Sequence, residues 1–182
     1  AVIHPDFVMG RDPHLVAEAI ARAKRQGVSE ELLSELDGFT GAVGIWDSGR
    51  PGPVTAFRFD IDCVQVSETS DPAHEANAGG YASERPNLMH ACGHDGHLAV
   101  GLGVAQWIKD HADQLCGKIK LVFQPAEEGT RGARPMAESG ILDDVDFIVC
   151  THIGSSVPLH QVAVCTHGYL ATTKLDIYFE GV

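Results

Sequence analysis

The sequence has 182 residues, of which 44% are hydrophobic and 21% charged, so the chain can build a packed core and does not have the composition of a disordered protein. Its net charge of −12 argues against a nucleic-acid or anionic-membrane partner. No apolar run reaches the length of a membrane span, and the first residues lack the pattern of a secretory signal. Five scattered cysteines favour a reducing, cytoplasmic compartment.

Two helices and two strands are predicted in the first third of the chain. Asp12-Pro13 is a typical helix start, and apolar residues at helical spacing continue from there to position 27. A second, shorter helix is predicted over 29–36. Strands are predicted over 41–46 and 54–63, because both segments are rich in apolar and aromatic residues and a Pro/Gly turn separates them.

The rest of the chain begins with a long irregular loop over 71–87, rich in Ala, Gly, Pro, Ser and Asn. The elements predicted after it are a helix over 96–111, a strand over 118–123, a helix over 132–139, and strands over 146–150, 161–166 and 173–180. The alternation of strands and helices between positions 54 and 150 predicts an α/β fold. We expect a mostly parallel or mixed sheet with helices on both faces.

The densest group of polar side chains lies in segment 89–99, Met-His-Ala-Cys-Gly-His-Asp-Gly-His-Leu-Ala. If this segment is extended, His90, Cys92 and His94 project to the same side of the backbone. Thiolate, imidazole and a nearby carboxylate are the ligands that a zinc-like ion requires. The alternative is a histidine-rich loop that binds no ligand.

Further polar residues follow the predicted strands, at positions that a parallel sheet brings to one edge. The sets expected to converge are Asp60 with Asp62, Cys92 with His94, Glu127 with Glu128, and His152. Each set also has a purely structural alternative, such as turn capping, a solvated glutamate pair or a core histidine. Together they suit one or two divalent metals, with a free carboxylate to take a proton from water, which is the machinery of amide hydrolysis.

Three of these segments resemble the signatures of a known family. Segments 89–97, 123–129 and 151–154 are similar to the motifs of the metal-dependent amidohydrolases, with 57–62 as the paired-Asp strand. This family is the branch of the zinc aminoacylase and carboxypeptidase superfamily that contains the hippurate and auxin-conjugate hydrolases. Within that branch, segments 132–136 and 140–146 look most like the p-aminobenzoyl-glutamate hydrolases.

The resemblance implies a role for each matching position. The metal ligands would be Cys92, His94, Glu128 and His152. They would hold two divalent ions, zinc or manganese, with the Cys92 thiolate as a bridge. Glu127 would be the general base that activates water. Three further residues would support the ligands without binding metal, namely Asp62, Asp95 and His97.

The resemblance also implies a fold, a substrate class and partners. A zinc-exopeptidase-like catalytic domain is expected over 1–171, with 172–182 as the first strand of an inserted lid or dimerisation domain. Members of the family are longer, so the chain resembles an N-terminal piece that lacks the last metal ligand, and alone it is expected to have little or no hydrolase activity. The substrate would be a small N-acyl or N-aroyl amino acid resembling aminobenzoyl-glutamate, and the full-length form a homodimer or hetero-oligomer.

Two other functions compete with the amidohydrolase interpretation. The first is a dipeptidase or general aminoacylase of the same superfamily. Cys92 argues against it, because the peptidase branches usually have Asp at that position. The second is a metal-binding protein without catalytic activity, acting as a subunit of a larger assembly. The presence of Glu127 argues against that interpretation, because a base beside a metal ligand has no purpose without a reaction.

Overall fold

Residues 2–154, 156–164, 175 and 177–181 are described by a computed structural model of the chain. Its elements, in chain order, are a 3-10 turn (Pro5–Phe7), helices α1 (Pro13–Arg25) and α2 (Glu30–Leu36), strands β1 (Ala42–Asp47) and β2 (Val54–Asp60), helices α3 (Glu75–Gly79) and α4 (His94–Asp110), strand β3 (Lys118–Gln124), helix α5 (Ala133–Ala137) and strand β4 (Phe147–Cys150). Across the described ranges, no helix combines the length and the apolar character needed to cross a membrane.

Helices α1 and α2 begin at the capping residues that the sequence provides. The Asp12 carboxylate accepts the backbone N–H of His14 at 2.8 Å, and Pro13 occupies the first helical position. The Ser29 hydroxyl accepts the backbone N–H of Leu32 at 3.2 Å at the start of α2. Both predicted helices are therefore confirmed, with ends within two residues of the predicted ones.

The four strands form one mixed sheet in the order β1-β3-β2-β4. Strand β2 runs parallel to both β3 and β4, whereas β1 is antiparallel to β3. The register pairs Asp60 with Gln124 at the end of β2 and β3, and Arg58 with Cys150 at the end of β4. The carboxyl ends of the three parallel strands therefore lie at the same edge of the sheet, and the predicted fold class is confirmed.

Both faces of the sheet are covered. On one face, Ala56 and Val122 pack with Ile3 from the N-terminal segment and Met136 from α5. On the other face, apolar side chains of β2 and β3, including Phe59, pack against Ile108 and its neighbours on α4. Helix α4 approaches closely because position 101 is glycine, where an added Cβ would lie 2.5 Å from the ring of Phe123.

The structure corrects several predicted boundaries. Strand β2 ends at Asp60, three residues before the predicted end, and α3 occupies part of the predicted loop 71–87. Segment 89–99 is not extended, since it turns at Gly93 (φ 82°) and α4 begins at His94 rather than Gly96. The condition under which His90, Cys92 and His94 would share one side of the backbone is therefore not met. Residues 161–164 carry no regular structure, and neither do the described residues within 173–180. The rest of those two predicted strands lies outside the described residues, and the domain boundary at 172 stays a prediction.

A buried lysine connects the sheet to the segment that precedes β4. Lys120 on β3 is only 4% exposed, and its Nζ donates to the carbonyl oxygen of Ile141 at 2.6 Å and to the Asp144 carboxylate. The hydrogen bond from Lys120 holds the pKa of the Asp144 carboxyl below its ordinary value. Lys118, two residues earlier, is partly exposed, and its one ion pair within the described ranges is to Asp47 Oδ2 at 3.5 Å.

We predict that Lys120→Met lowers the free energy of unfolding by about 1–3 kcal/mol, because it leaves the partly buried carbonyl oxygen of Ile141 without its donor while keeping the aliphatic chain. The matched control Lys118→Met should change it by less than about 1 kcal/mol, as is usual for an exposed pair. Urea denaturation followed by circular dichroism measures both. Equal losses in the two variants would contradict the structural role given to Lys120.

Candidate metal centre

All four predicted ligands meet at the edge of the sheet where β2, β3 and β4 end. Cys92 and His94 stand at the start of α4, and Glu128 lies in the loop after β3. One donor atom from each of these three residues lies within 4.8 Å of the other two. His152, which follows β4, places its Nε2 3.7 Å from the Cys92 sulfur. The edge therefore carries thiol, imidazole and carboxylate donors within reach of one ion or of two neighbouring ions.

His94 gives the clearest evidence that these residues fit a divalent cation. The side chain is completely buried, and its Nδ1 donates to the backbone carbonyl of Asp62 at 2.9 Å. The proton is therefore on Nδ1, and Nε2 carries a lone pair. Among the described residues, this buried Nε2 has no hydrogen-bond partner. Carboxylate oxygens of Asp60 and Glu127 lie 3.9 Å away, so a divalent cation beside Nε2 would satisfy both the nitrogen and its acidic neighbours.

Asp62 fixes the two glutamates that follow β3. Its Oδ1 accepts the backbone N–H of Glu127, and its Oδ2 accepts the backbone N–H of Glu128, each at 3.0 Å. The residue also orients His94 through its own carbonyl oxygen. This geometry agrees with the supporting role predicted for Asp62, since the carboxylate is occupied by backbone donors. That role remains a proposal.

The loop that carries the glutamates has an unusual backbone. Ala126 adopts a left-handed conformation (φ 52°), which is uncommon for a residue with a side chain. Its carbonyl oxygen accepts the backbone N–H groups of Arg131 and Gly132 at 3.1 and 2.7 Å. A Cβ at position 132 would lie 1.6 Å from the carbonyl oxygen of Pro125, so only glycine fits there. The loop therefore closes tightly on itself and presents two adjacent carboxylates at the edge of the sheet.

The site is strongly acidic when no cation is bound. Burial raises the pKa of the Cys92 thiol above its ordinary value, and the neighbouring carboxylates, led by Glu128, raise it further. The thiol is therefore protonated at neutral pH. A bound divalent cation would lower the pKa of this thiol, because a thiol that coordinates a metal loses its proton. Sulfur, imidazole and carboxylate donors together fit zinc-type coordination.

A second group of potential ligands overlaps the first and consists of Asp60, His94, His97 and His152. Within it, His97 has no free nitrogen. Its Nδ1 is hydrogen-bonded to Asp60, and its Nε2 accepts the backbone N–H of Ile153 at 2.7 Å. The group that contains Cys92 and Glu128 is therefore the better candidate for a metal. The positions of His97 and Asp62 agree with the supporting roles predicted for them.

Two sequence-based candidates remain, Asp95 and Asp60. Asp95 is exposed, and its only side-chain hydrogen bond within the described ranges is to the N–H of Gly96, so its supporting role stays a prediction. Asp60 was expected at this edge together with Asp62 but was given no separate role, and the structure places it completely buried at the end of β2. Burial alone would raise its pKa, but the hydrogen bond from His97 and the charge of Arg58 hold that pKa below its ordinary value. Its alternation with Asp62 was the available signal.

Comparison with known families assigns the chain. The sequence profile of Peptidase family M20/M25/M40 matches residues 56–179, which include every candidate ligand. The chain belongs to this peptidase family. The family predicted from the three motifs is thereby confirmed.

Two curated relatives are similar over nearly the whole chain. A homolog of one p-aminobenzoyl-glutamate hydrolase subunit, from Haemophilus influenzae, is 49% identical over 180 residues, which is 99% of this chain and 43% of the relative. An indole-3-acetyl-aspartic acid hydrolase from Enterobacter agglomerans is 50% identical over 172 residues, which is 94% of this chain and 39% of the relative. The chain thus spans about two fifths of the length of these relatives.

Solved structures of the same family have a similar fold. An aminobenzoyl-glutamate utilization protein from Klebsiella pneumoniae superposes with a TM-score of 0.66 at 43% identity, over 86% of this chain and 34% of that one. A Bacillus subtilis protein described as a dinuclear metal binding peptidase from the M20 family has a TM-score of 0.59 at 35% identity, over 65% of this chain and 31% of that one. The observed sheet and helices are therefore those of an M20 family member.

We predict that Asp62→Asn weakens Zn²⁺ binding about 10–100-fold, because an amide has one acceptor oxygen and its NH₂ group would face a backbone N–H of the glutamate loop. Asp113→Asn makes the same chemical change at an exposed position after the end of α4, away from the ligands, and should leave the affinity unchanged. Competition with a chromogenic chelator measures both affinities. Wild-type affinity in Asp62→Asn, or an equal loss in the control, would contradict the role given to Asp62.

Proposed function

We propose that this chain carries the metal-binding part of an amidohydrolase that cleaves the amide bond of N-acyl or N-aroyl amino acids. The observation that supports this most strongly is the buried Nε2 of His94, which has no hydrogen-bond partner in the described part of the chain. Donor atoms of Cys92 and Glu128 lie near it, and the Glu127 carboxylate is 3.9 Å away. Metal ligands with a free carboxylate beside them are the requirement for hydrolysis assisted by a metal. Family membership supports the same reaction.

The proposed substrate is an amide of an acidic amino acid with an aromatic acyl group. The relatives named above are a homolog of a p-aminobenzoyl-glutamate hydrolase component and an indole-3-acetyl-aspartic acid hydrolase. Both names describe an aromatic acyl group joined to a dicarboxylic amino acid. Aminobenzoyl-glutamate is therefore the first substrate to test, ahead of dipeptides and simple acylated amino acids.

The proposed cofactors are two divalent ions, zinc or manganese, held by Cys92, His94, Glu128 and His152, with the Cys92 thiolate shared between them. Thiolate is a soft ligand and favours zinc over manganese. When bound, such ions polarise the scissile carbonyl group and lower the pKa of water towards neutrality. The distance of 3.7 Å between the Cys92 sulfur and His152 Nε2 places both donors within reach of one ion, which supports His152 as a ligand beside Cys92.

Glu127 is proposed as the general base. Its backbone N–H is held by Asp62, whereas its carboxylate makes no hydrogen bond to any other described side chain and is partly exposed. A carboxylate in this state can take a proton from the attacking water and deliver it to the leaving nitrogen. Its neighbour Glu128 faces Cys92 instead, so the two adjacent glutamates are assigned different tasks.

The partners and the compartment are also proposals. The name of the Haemophilus influenzae relative describes one subunit of a hydrolase, and so does the name of an Escherichia coli relative that is 47% identical over 171 residues. These names support a hetero-oligomer, with a homodimer as the alternative. A cytoplasmic location is supported by the cysteines, because those within the described ranges have free thiols, namely Cys63, Cys92, Cys116 and Cys150.

We predict that Glu127→Gln lowers kcat for aminobenzoyl-glutamate about 100–10,000-fold in the full-length protein, because the amide cannot accept the proton of water. Metal content should stay at the wild-type value, since Glu127 is not a proposed ligand. Steady-state kinetics and metal analysis of the same samples measure both, with Glu35→Gln on the exposed surface of α2 as the control. Unchanged turnover would contradict the proposed base, and simultaneous loss of metal would make Glu127 a ligand.

A further inference from the structure

Asp60 is a buried carboxylate that the proposed reaction does not use. A buried charge is costly unless it is paired and hydrogen-bonded. Its Oδ2 forms an ion pair with Nη1 of Arg58 at 2.8 Å, but among the described residues this oxygen accepts no hydrogen bond. Nε of Arg58 donates to the side-chain oxygen of Gln124 on β3 at 2.8 Å. Its Oδ1 is hydrogen-bonded to Nδ1 of His97. Strand β2 therefore places the negative charge of Asp60 beside Nδ1 of the His97 ring.

His97 connects Asp60 to the segment that follows β4. Its Nε2 accepts the backbone N–H of Ile153, and a ring nitrogen that accepts carries no proton. The proton must then be on Nδ1, where it is donated to Asp60. The opposite tautomer would place a ring N–H against the N–H of Ile153, so the Asp60 carboxylate selects the form of His97 that can hold this peptide group.

The segment held in this way contains a proposed metal ligand. His152 follows the end of β4, and its Nδ1 donates to the carbonyl oxygen of Ile153 at 2.8 Å, which leaves Nε2 facing Cys92. The side chain of Ile153 rests on the start of α4, where a Cβ at Gly96 would lie 2.6 Å from its Cδ1. The carbonyl oxygen of Ile153 thus sets the orientation of the His152 ring, and the hydrogen bond to His97 fixes the backbone of Ile153.

We infer that Asp60 and His97 are a positioning pair that holds His152 in place for metal binding and that neither residue binds the metal. The inference rests on the proposed metal site. It differs from the alternative that Asp60, His94, His97 and His152 themselves surround an ion. Under the inference, His97 keeps its Nδ1 proton and its hydrogen bond to Ile153 when metal is present. Under the alternative, His97 loses either the Nδ1 proton or the hydrogen bond to Ile153.

The decisive experiment is ¹⁵N NMR of the histidine side chains while the unmodified protein is titrated with Zn²⁺. We expect the Nε2 resonances of His94 and His152 to move to metal-bound values. His97 should keep a protonated Nδ1 and an unmetallated Nε2 throughout. Movement of either His97 nitrogen to a metal-bound value would overturn the inference. No Zn²⁺ binding at all would overturn both the inference and the proposed metal site.

Two variants of His97 test the positioning role itself. His97→Leu removes both hydrogen bonds and should weaken Zn²⁺ binding about 10–100-fold, as is typical when a group that orients a metal ligand is lost. His97→Gln retains an N–H donor for Asp60 and an oxygen acceptor for Ile153, so it should restore most of the affinity and the hydrogen-exchange protection of the Ile153 amide. Wild-type affinity in His97→Leu, or an equal loss in both variants, would overturn the positioning role while leaving the metal site intact.

Discussion

The hydrogen bonds of Asp62 connect the segments that carry the candidate ligands. Its carboxylate accepts the backbone N–H groups of Glu127 and Glu128, and its carbonyl oxygen accepts Nδ1 of His94. The residue stands just past the end of β2, which is a central strand of the sheet. Because its partners are two backbone groups and one buried ring, the positions of the glutamate loop and of helix α4 are both set relative to the sheet. The positions of His94 and Glu128 relative to the sheet therefore depend on this one residue.

The arrangement is electrostatically unfavourable unless a cation is present. Burial raises the pKa of the Cys92 thiol, and the nearby carboxylates of Glu128, Glu127 and Asp60 raise it further. A buried nitrogen of His94 has no hydrogen-bond partner among the described residues. These features oppose folding, because like charges and unpaired polar atoms are brought together in a partly buried place. A divalent cation would offset both effects, so metal binding and stability of this edge are coupled. An acidic site of this kind is consistent with a function that requires a metal.

The sequence predicted the features that depend on local chemistry. Asp12 and Ser29 are recognisable caps, so α1 and α2 were predicted, and the apolar strands with polar residues after them predicted where the site forms. Features set by tertiary contacts were not predictable. Nothing in segment 41–46 specifies that β1 runs antiparallel to β3, and α4 begins after Gly93 without a side-chain cap. The pairing of Asp60 with His97 joins a strand end to a helix, so only the folded chain shows it.

The central claim is that one edge of the sheet holds a divalent metal through Cys92, His94 and Glu128, with His152 beside them. The most direct test is anomalous X-ray diffraction at the zinc absorption edge, using crystals of the protein grown with Zn²⁺. We expect an anomalous peak from an ion bound by the sulfur of Cys92, Nε2 of His94 and the carboxylate of Glu128. A peak bonded to His97, or no peak at this edge of the sheet, would contradict it.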